Sequence, residues 1–176
     1  MIITQNTRQA HSFKISASYH PLLLKASYSM NILFDLNGVF FDTTQQKTTS
    51  TVRPLHPATM YQLLEDCKAQ GHRLFVISNW SSEIIELISY DSYNKRLFSY
   101  FDDLILADKV GLKKPDPRIF DHIITKHNLD PQLCVFIDDQ IKNLEGAQKA
   151  GIQKNILCDN FNFDAVRQAL VNYGAL

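Results

Sequence analysis

Five short apolar runs, each separated from the next by a stretch with apolar residues at helical spacing, constrain the fold of this 176-residue chain more than any other feature. The runs are Asn31-Ile32-Leu33-Phe34, Leu74-Phe75-Val76-Ile77, Asp103-Leu104-Ile105-Leu106, Cys134-Val135-Phe136-Ile137 and Ile156-Leu157-Cys158. Their brevity and their β-branched and aromatic content read as buried strands. Between them, Met60, Leu63, Leu64 and Cys67 mark a helix from Ala58 to Gln70 that stops at Gly71. Ser81 or Ser82 caps a helix through Ile84, Ile85, Leu87 and Ile88, and Pro117 opens one through Ile119, Phe120, Ile123 and Ile124. Stretches from Gln140 to Ala150 and from Phe163 to Tyr173 complete the set. This alternation predicts an α/β fold, a doubly wound and mostly parallel five-stranded sheet with helices on both faces.

The polar residues that end these runs carry the chemistry, because ligands of open α/β sheets bind beyond the carboxyl ends of the strands. Phe34 leads into Asp35-Leu36-Asn37-Gly38, which sets Asp35 at such an end with a turn behind it. An isolated D-x-N-G is more often a turn in which the aspartate bonds its own backbone. Three further segments argue for more than a turn. Ile77 leads into Ser78-Asn79, whose hydroxyl and backbone N–H groups suit phosphate oxygens. Within Gly111-Leu112-Lys113-Lys114-Pro115-Asp116-Pro117, Lys114 stands directly before a proline, which biases it away from helix and offers a point cation from a fixed loop. Ile137 leads into Asp138-Asp139, with Asn143, Ala147 and Gly151 following at helical spacing. Adjacent carboxylates repel unless a cation neutralises them, and a hard ion such as Mg²⁺ takes oxygen ligands.

With these segments in this order from Asn31 onward, the chain resembles the haloacid dehalogenase-like (HAD) superfamily of hydrolases. The resemblance implies a Rossmann-like HAD fold over residues 30–176 and a set of roles. Asp35 would be the nucleophile that becomes an aspartyl-phosphate. Ser78 and the Asn79 backbone would bind the phosphoryl group, and Lys114 would neutralise both phosphate and nucleophile. Mg²⁺ would be held by Asp35, Asp139 and the backbone carbonyl of Asn37, with Asp138 as a ligand or an assisting acid and Asn143 orienting the acidic pair. The departure is at Asn37, where phosphatases of the family usually carry a second aspartate that protonates the leaving oxygen and then deprotonates the attacking water. Asparagine exchanges no proton, and general acid–base help is worth about two to four powers of ten in rate. The implied enzyme is slow, favouring aryl or acyl phosphates over alkyl ones. Asn37-Gly38 is also prone to deamidate, since glycine leaves the backbone nitrogen unhindered, so aged protein can carry aspartate there.

Composition agrees with a globular domain, at 45% apolar and 20% charged residues. Eighteen basic residues balance 18 acidic ones, so no general attraction to nucleic acid or an anionic membrane is expected. No stretch approaches the ~20 apolar residues that span a bilayer. Cys67, Cys134 and Cys158 show no metal-ligand spacing and read as buried hydrophobes in a reducing, cytoplasmic setting. Residues 1–29 contain no Asp or Glu, resemble an organellar transit peptide in composition, and end where Met30 meets the first run. They are expected to be an N-terminal extension outside the core.

Members of the family that select small metabolites commonly insert a cap domain after the first or second of these motifs. Here neither Asp42 to Pro54 nor Ser81 to Leu112 is long enough to hold one. An open site is implied, taking a phosphorylated substrate as large as a phosphoprotein or a polymer end, or closed by a partner subunit of an oligomer. Thr43 to Thr49 would form a polar flap beside it, and Trp80 would pack in the core or, as a weaker reading, line the entrance. Two functional classes stand: a Mg²⁺-dependent hydrolase, and a non-catalytic HAD-like module that binds a phosphorylated ligand or protein partner. Asp35, Ser78, Lys114 and the acidic pair favour the first, and Asn37 favours the second. A dehalogenase working from the same aspartate ranks third, because that reaction needs no metal.

Overall fold

A computed structural model describes residues 29–42 and 52–176. The flap expected over Thr43 to Thr49 lies outside the described residues, as does the N-terminal extension apart from Ser29, whose hydroxyl donates to the Gly71 carbonyl at 2.7 Å. Strands β1 (Asn31–Phe34), β2 (Arg73–Ser78), β3 (Asp103–Leu106), β4 (Cys134–Asp138) and β5 (Lys154–Leu157) form one sheet in the order β3-β2-β1-β4-β5. Every neighbouring pair is parallel. Helices α1 (Pro57–Ala69), α2 (Ser82–Ile88), α3 (Ser92–Phe98), α4 (Ala107–Val110), α5 (Pro117–His127) and α6 (Ile141–Lys149) lie in the crossovers, and α7 (Phe163–Asn172) follows β5.

The period-2 alternation of strand side chains divides the core into two layers. Ile32, Phe34, Leu74, Val76, Val135 and Ile137 pack with Met60, Leu63 and Leu64 of α1 and with Val166 and Leu170 of α7. On the opposite face Leu33, Phe75, Ile77 and Phe136 meet Ile119, Phe120 and Ile123 of α5 and Leu144 and Ala147 of α6. Each large side chain so buried contributes about 1.5–3 kcal/mol relative to exposure. Trp80 is half-buried against Phe41, ring centroids 5.4 Å apart, in agreement with the packing role expected of it. All three cysteines are buried and unpaired.

Two local features differ from the sequence reading. Strand β5 begins at Lys154 and ends before Cys158, whose N–H still donates to the Asp138 carbonyl at 3.0 Å. Helix α3 was not anticipated. Ser92–Phe98 shows little apolar periodicity, and it is held by the Asp91 carboxylate capping Tyr93 N–H and by the buried Asn94 amide donating to the carbonyls of Val52 and Ile88. The strand order also locates a binding crevice. Chain direction across the sheet reverses at β1, which β2 and β4 flank, so the crevice lies beyond the carboxyl ends of these three strands.

Candidate active site

Asp35 follows β1 and is locked by the ladder itself, its N–H donating to the Ile137 carbonyl at 2.9 Å. Its Oδ1 accepts from the Leu36 N–H at 2.7 Å and lies 2.8 Å from Lys114 Nζ. The same ammonium is 2.7 Å from Asp138 Oδ2 at the end of β4. All three groups are buried, Asp35 at 5%, Lys114 at 2% and Asp138 at 0% exposure, so one cation bridges two carboxylates out of water. Burial pushes the Asp35 carboxyl up to about 6; Lys114 opposes that rise and Asp138 adds to it. Without a further cation, the folded state holds this proton more tightly than the unfolded chain does. Its contribution to stability is therefore present below the ordinary value of 3.8 and is lost as pH rises towards about 6.

Lys114 owes its position to two elements. The Asn79 side chain clamps its backbone reciprocally, Nδ2 donating to the Lys114 carbonyl at 3.1 Å and Oδ1 accepting the Lys114 N–H at 2.9 Å. Both polar ends of that amide are thus committed to Lys114, and a contact with substrate would fall to the Asn79 backbone. Helix α6 seats the adjoining proline, because Gly146 offers no Cβ where one would lie 2.3 Å from the Pro115 carbonyl oxygen. Gly146→Ala is expected to displace this loop and cost about 1–3 kcal/mol, as overpacking does. A thermal melt and the affinity for inorganic phosphate check it; wild-type values in both would mean that the loop yields without moving Lys114.

The adjacent carboxylates divide their work. Asp138 Oδ1 accepts from the Gln140 N–H at 2.8 Å and Asn143 Nδ2 at 2.9 Å, and its Oδ2 accepts from Lys114 and again from Asn143 at 3.1 Å. Asp139 is different: its Oδ1 is buried with no hydrogen-bond partner. Burial, reinforced by Asp138, holds its carboxyl above the ordinary value. Gly38 makes the space for it, since at φ +85° a Cβ there would fall 2.2 Å from Asp139 Cγ. One oxygen from each of Asp35, Asp138 and Asp139 lies within 4.8 Å of the others. Three carboxylates with a single ammonium among them, which bridges Asp35 and Asp138, leave two negative charges uncompensated, and these oxygen donors fit a hard divalent cation. Ser78, 1% exposed at the end of β2, accepts the Trp80 N–H at 3.1 Å on its Oγ and keeps its own proton to donate.

A family model for haloacid dehalogenase-like hydrolases matches residues 51–151, more than half of the chain. The chain belongs to the haloacid dehalogenase-like hydrolase family. A sesquiterpene phosphatase of Aspergillus oryzae is 26% identical to it over 117 residues, 66% of this chain and 57% of the relative. A glyceraldehyde 3-phosphate phosphatase of Methanothermobacter thermautotrophicus is 30% identical over 106 residues, 57% of this chain and 43% of the relative. The chain thus spans about half the length of these curated relatives. A HAD-like family hydrolase from Porphyromonas gingivalis shares the fold at a TM-score of 0.65 and 18% identity, covering 81% of this chain and 98% of its own.

The HAD family match begins downstream of Asp35, yet the fold brings every residue named from the sequence to one end of the sheet. Asn37 forms a backbone bridge with Phe41, and Gly38 N–H donates to the Phe41 carbonyl at 2.8 Å. Asn37, Gly38 and Asp139 together line one end of a cleft. Sequence reasoning missed the Asn79 side-chain clamp, the room that Gly38 makes for Asp139, and the seat at Gly146. A glycine inside a helical pattern is the kind of signal that marks close backbone approach, and Gly146 carried it.

Proposed function

We propose that this HAD-family chain is a Mg²⁺-dependent phosphomonoester hydrolase that works through an aspartyl-phosphate on Asp35. The observation that carries the reading is the buried Lys114 ammonium, 2.8 Å from Asp35 and 2.7 Å from Asp138, at the carboxyl end of a central strand. A module that only binds needs no buried carboxylate poised against a fixed cation. Lys114 and the Leu36 N–H occupy Asp35 Oδ1, so attack on phosphorus falls to Oδ2. The new O–P bond forms as the ester O–P bond breaks, and the leaving oxygen takes its proton from solvent because Asn37 has none to give. Water then attacks the aspartyl-phosphate, releasing phosphate and restoring the carboxylate. Lys114 and the Ser78 hydroxyl would steady the phosphoryl oxygens throughout. Asp35, Asp139 and the Asn37 carbonyl would hold Mg²⁺, which supplies charge neutralisation for an incoming phosphate. Asp138, saturated by Lys114, Gln140 and Asn143, acts as the anchor of the group.

The phosphatase names of two relatives support a phosphomonoester as substrate. A cytoplasmic location is our reading of three buried thiols, which burial pushes up to about 12 at Cys67, about 11 at Cys134 and about 12 at Cys158. Among the described residues no helix is long and apolar enough to cross a membrane. Residues 30–176 form the hydrolase domain in this proposal.

The test is Mg²⁺-dependent phosphate release from p-nitrophenyl phosphate by the native chain and by Asp35→Asn. Turnover lost both on chelation and in Asp35→Asn is expected. Its survival in Asp35→Asn would sink the nucleophile assignment. Retained binding of metal and phosphate with no turnover at all would favour the second reading, a binding module, for which Asn37 is the specific evidence.

A further inference from the structure

We infer that Asp108 is a positioning residue for phosphoryl transfer, the outer of two ties that register the turn carrying Ser78 against the loop carrying Lys114; this deepens, and rests on, the phosphomonoesterase reading. The two groups that would steady the phosphoryl oxygens stand on separate segments. Ser78 closes β2 and leads through Asn79, Trp80 and Ser81 into α2, whereas Lys114 follows β3, α4 and the turn at Gly111. The two strands pair as far as Ser78 and Leu106, and beyond that register the ladder no longer fixes one segment against the other.

Side chains take over from there. Ser82 donates both its N–H and its hydroxyl to Asp108 Oδ2, at 2.9 and 2.7 Å, and the Asn79 amide clamps the Lys114 backbone at 3.1 and 2.9 Å. The order is crossed. Asn79, next to the end of β2, holds the far end of the Lys114 loop, and Ser82, farther along, holds its start. Each segment is also braced within itself: Trp80 N–H donates to Ser78 Oγ at 3.1 Å, and Gly111, at φ +69°, donates its N–H to the Ala107 carbonyl at 2.9 Å. Asp108 therefore acts on Lys114 through Ser82, the turn over residues 79–82 and Asn79. The bonds from Ser82 hold the Asp108 carboxyl below the ordinary carboxylate value, which keeps this tie ionic. A lysine presents its charge on a flexible four-carbon stem, so the placing of its ammonium depends on where its backbone is held. Misplacement by about 1 Å can cost about 10²-fold in rate. Asn79 and Asp108 are both exposed, so truncating either one opens no cavity in the core.

The experiment is a double-mutant cycle on p-nitrophenyl phosphate turnover, with its loss in Asp35→Asn and a thermal melt of every variant measured alongside. Asn79→Ala should lower kcat by about 10- to 100-fold and change KM by about twofold or less, the pattern left when an orienting group is lost. Asp108→Ala should lower kcat by about three- to tenfold in the same pattern, and Asp108→Asn, which keeps an acceptor for Ser82, should recover most of that loss. Because Asp108 acts through Asn79, the double variant Asn79→Ala, Asp108→Ala should fall within about twofold of Asn79→Ala alone. Asp130 caps a turn at the amino end of β4, accepting the Gln132 N–H at 2.9 Å, so Asp130→Ala should lower Tm and leave kcat unchanged. If Asp108→Ala does not fold, Ser82→Ala, which deletes the hydroxyl tie alone, takes its place in the cycle. Losses that multiply in the double variant overturn this inference and leave the hydrolase reading intact. So does an Asp108→Ala enzyme with native kcat and only a lowered Tm. No turnover by the native chain overturns the hydrolase reading and this inference with it.

Discussion

Asn37→Asp is expected to raise kcat/KM for an alkyl phosphate by about 10²- to 10⁴-fold while changing aryl phosphate turnover far less. The two side chains are nearly isosteric, and Asn37 is only half-buried, so the fold accepts the carboxyl without a large desolvation cost. Its neighbours at the mouth of the cleft are Gly38 and Asp139. The gain lies in the difference between an amide and a carboxyl. An alkoxide leaves with a high proton affinity and needs a proton as it departs, whereas a nitrophenolate does not. The introduced carboxyl can give that proton and take one from water in the second step. Initial rates on matched aryl and alkyl esters measure the effect. Mass-verified fresh protein is essential, because deamidation of Asn37-Gly38 would produce the same carboxyl in part of the wild-type sample. Equal gains on both esters would mean that residue 37 acts on metal or phosphate binding, not on the leaving oxygen.

Lys114→Met is expected to be the most damaging single change to the folded state. It keeps the volume of the buried stem but removes the cation from two carboxylates that are themselves buried. Breaking a buried pair by deleting one partner costs about 3–5 kcal/mol, which for a domain of this size lowers Tm by about 6–20 °C. The sign of its pH dependence is fixed. With the ammonium gone, the carboxyl of Asp35, already pushed up to about 6 by burial with Lys114 present, moves higher still. That carboxyl is then more readily neutral in acid, so the stability deficit shrinks as pH falls from neutrality towards 5. Thermal melts across that range test it, and Mg²⁺ should recover part of the loss at neutral pH. A deficit independent of pH and of Mg²⁺ would show that Lys114 matters through its packing alone.

Much of this arrangement is readable from residue order. Strands β1, β2 and β4 stand out because both faces are buried, so their apolar runs are unbroken and the polar residues that end them are conspicuous. Helix α3 does not stand out, since its hold on the domain is the Asn94 amide reaching the Val52 and Ile88 carbonyls, a tertiary contact that leaves no periodic trace. The same limit applies within the site. Asp138 and Asp139 are one letter written twice, and the pleat of β4 sends the first inward to Lys114 and Asn143 while the second keeps an unpartnered oxygen. Ser78 and Asn79 likewise look equivalent as strand-end polar residues, yet the Asn79 side chain is spent on positioning Lys114. Pairing of this kind depends on which backbone passes opposite, and composition does not record it.

Helix α6 touches this constellation at two points, with Gln140 and Asn143 at its start holding Asp138 and with Gly146 one turn on carrying Pro115. The acid and the ammonium that neutralises it are therefore registered against a single short rod. Asn143 and Gly146, three residues apart, lie on one face of that rod, so a rigid shift of α6 would carry both contacts together. Transplanting this chemistry onto another parallel sheet would accordingly require β4, α6 and the Lys114 loop to travel as one part, with Asn79 supplied by the recipient strand as the fastener.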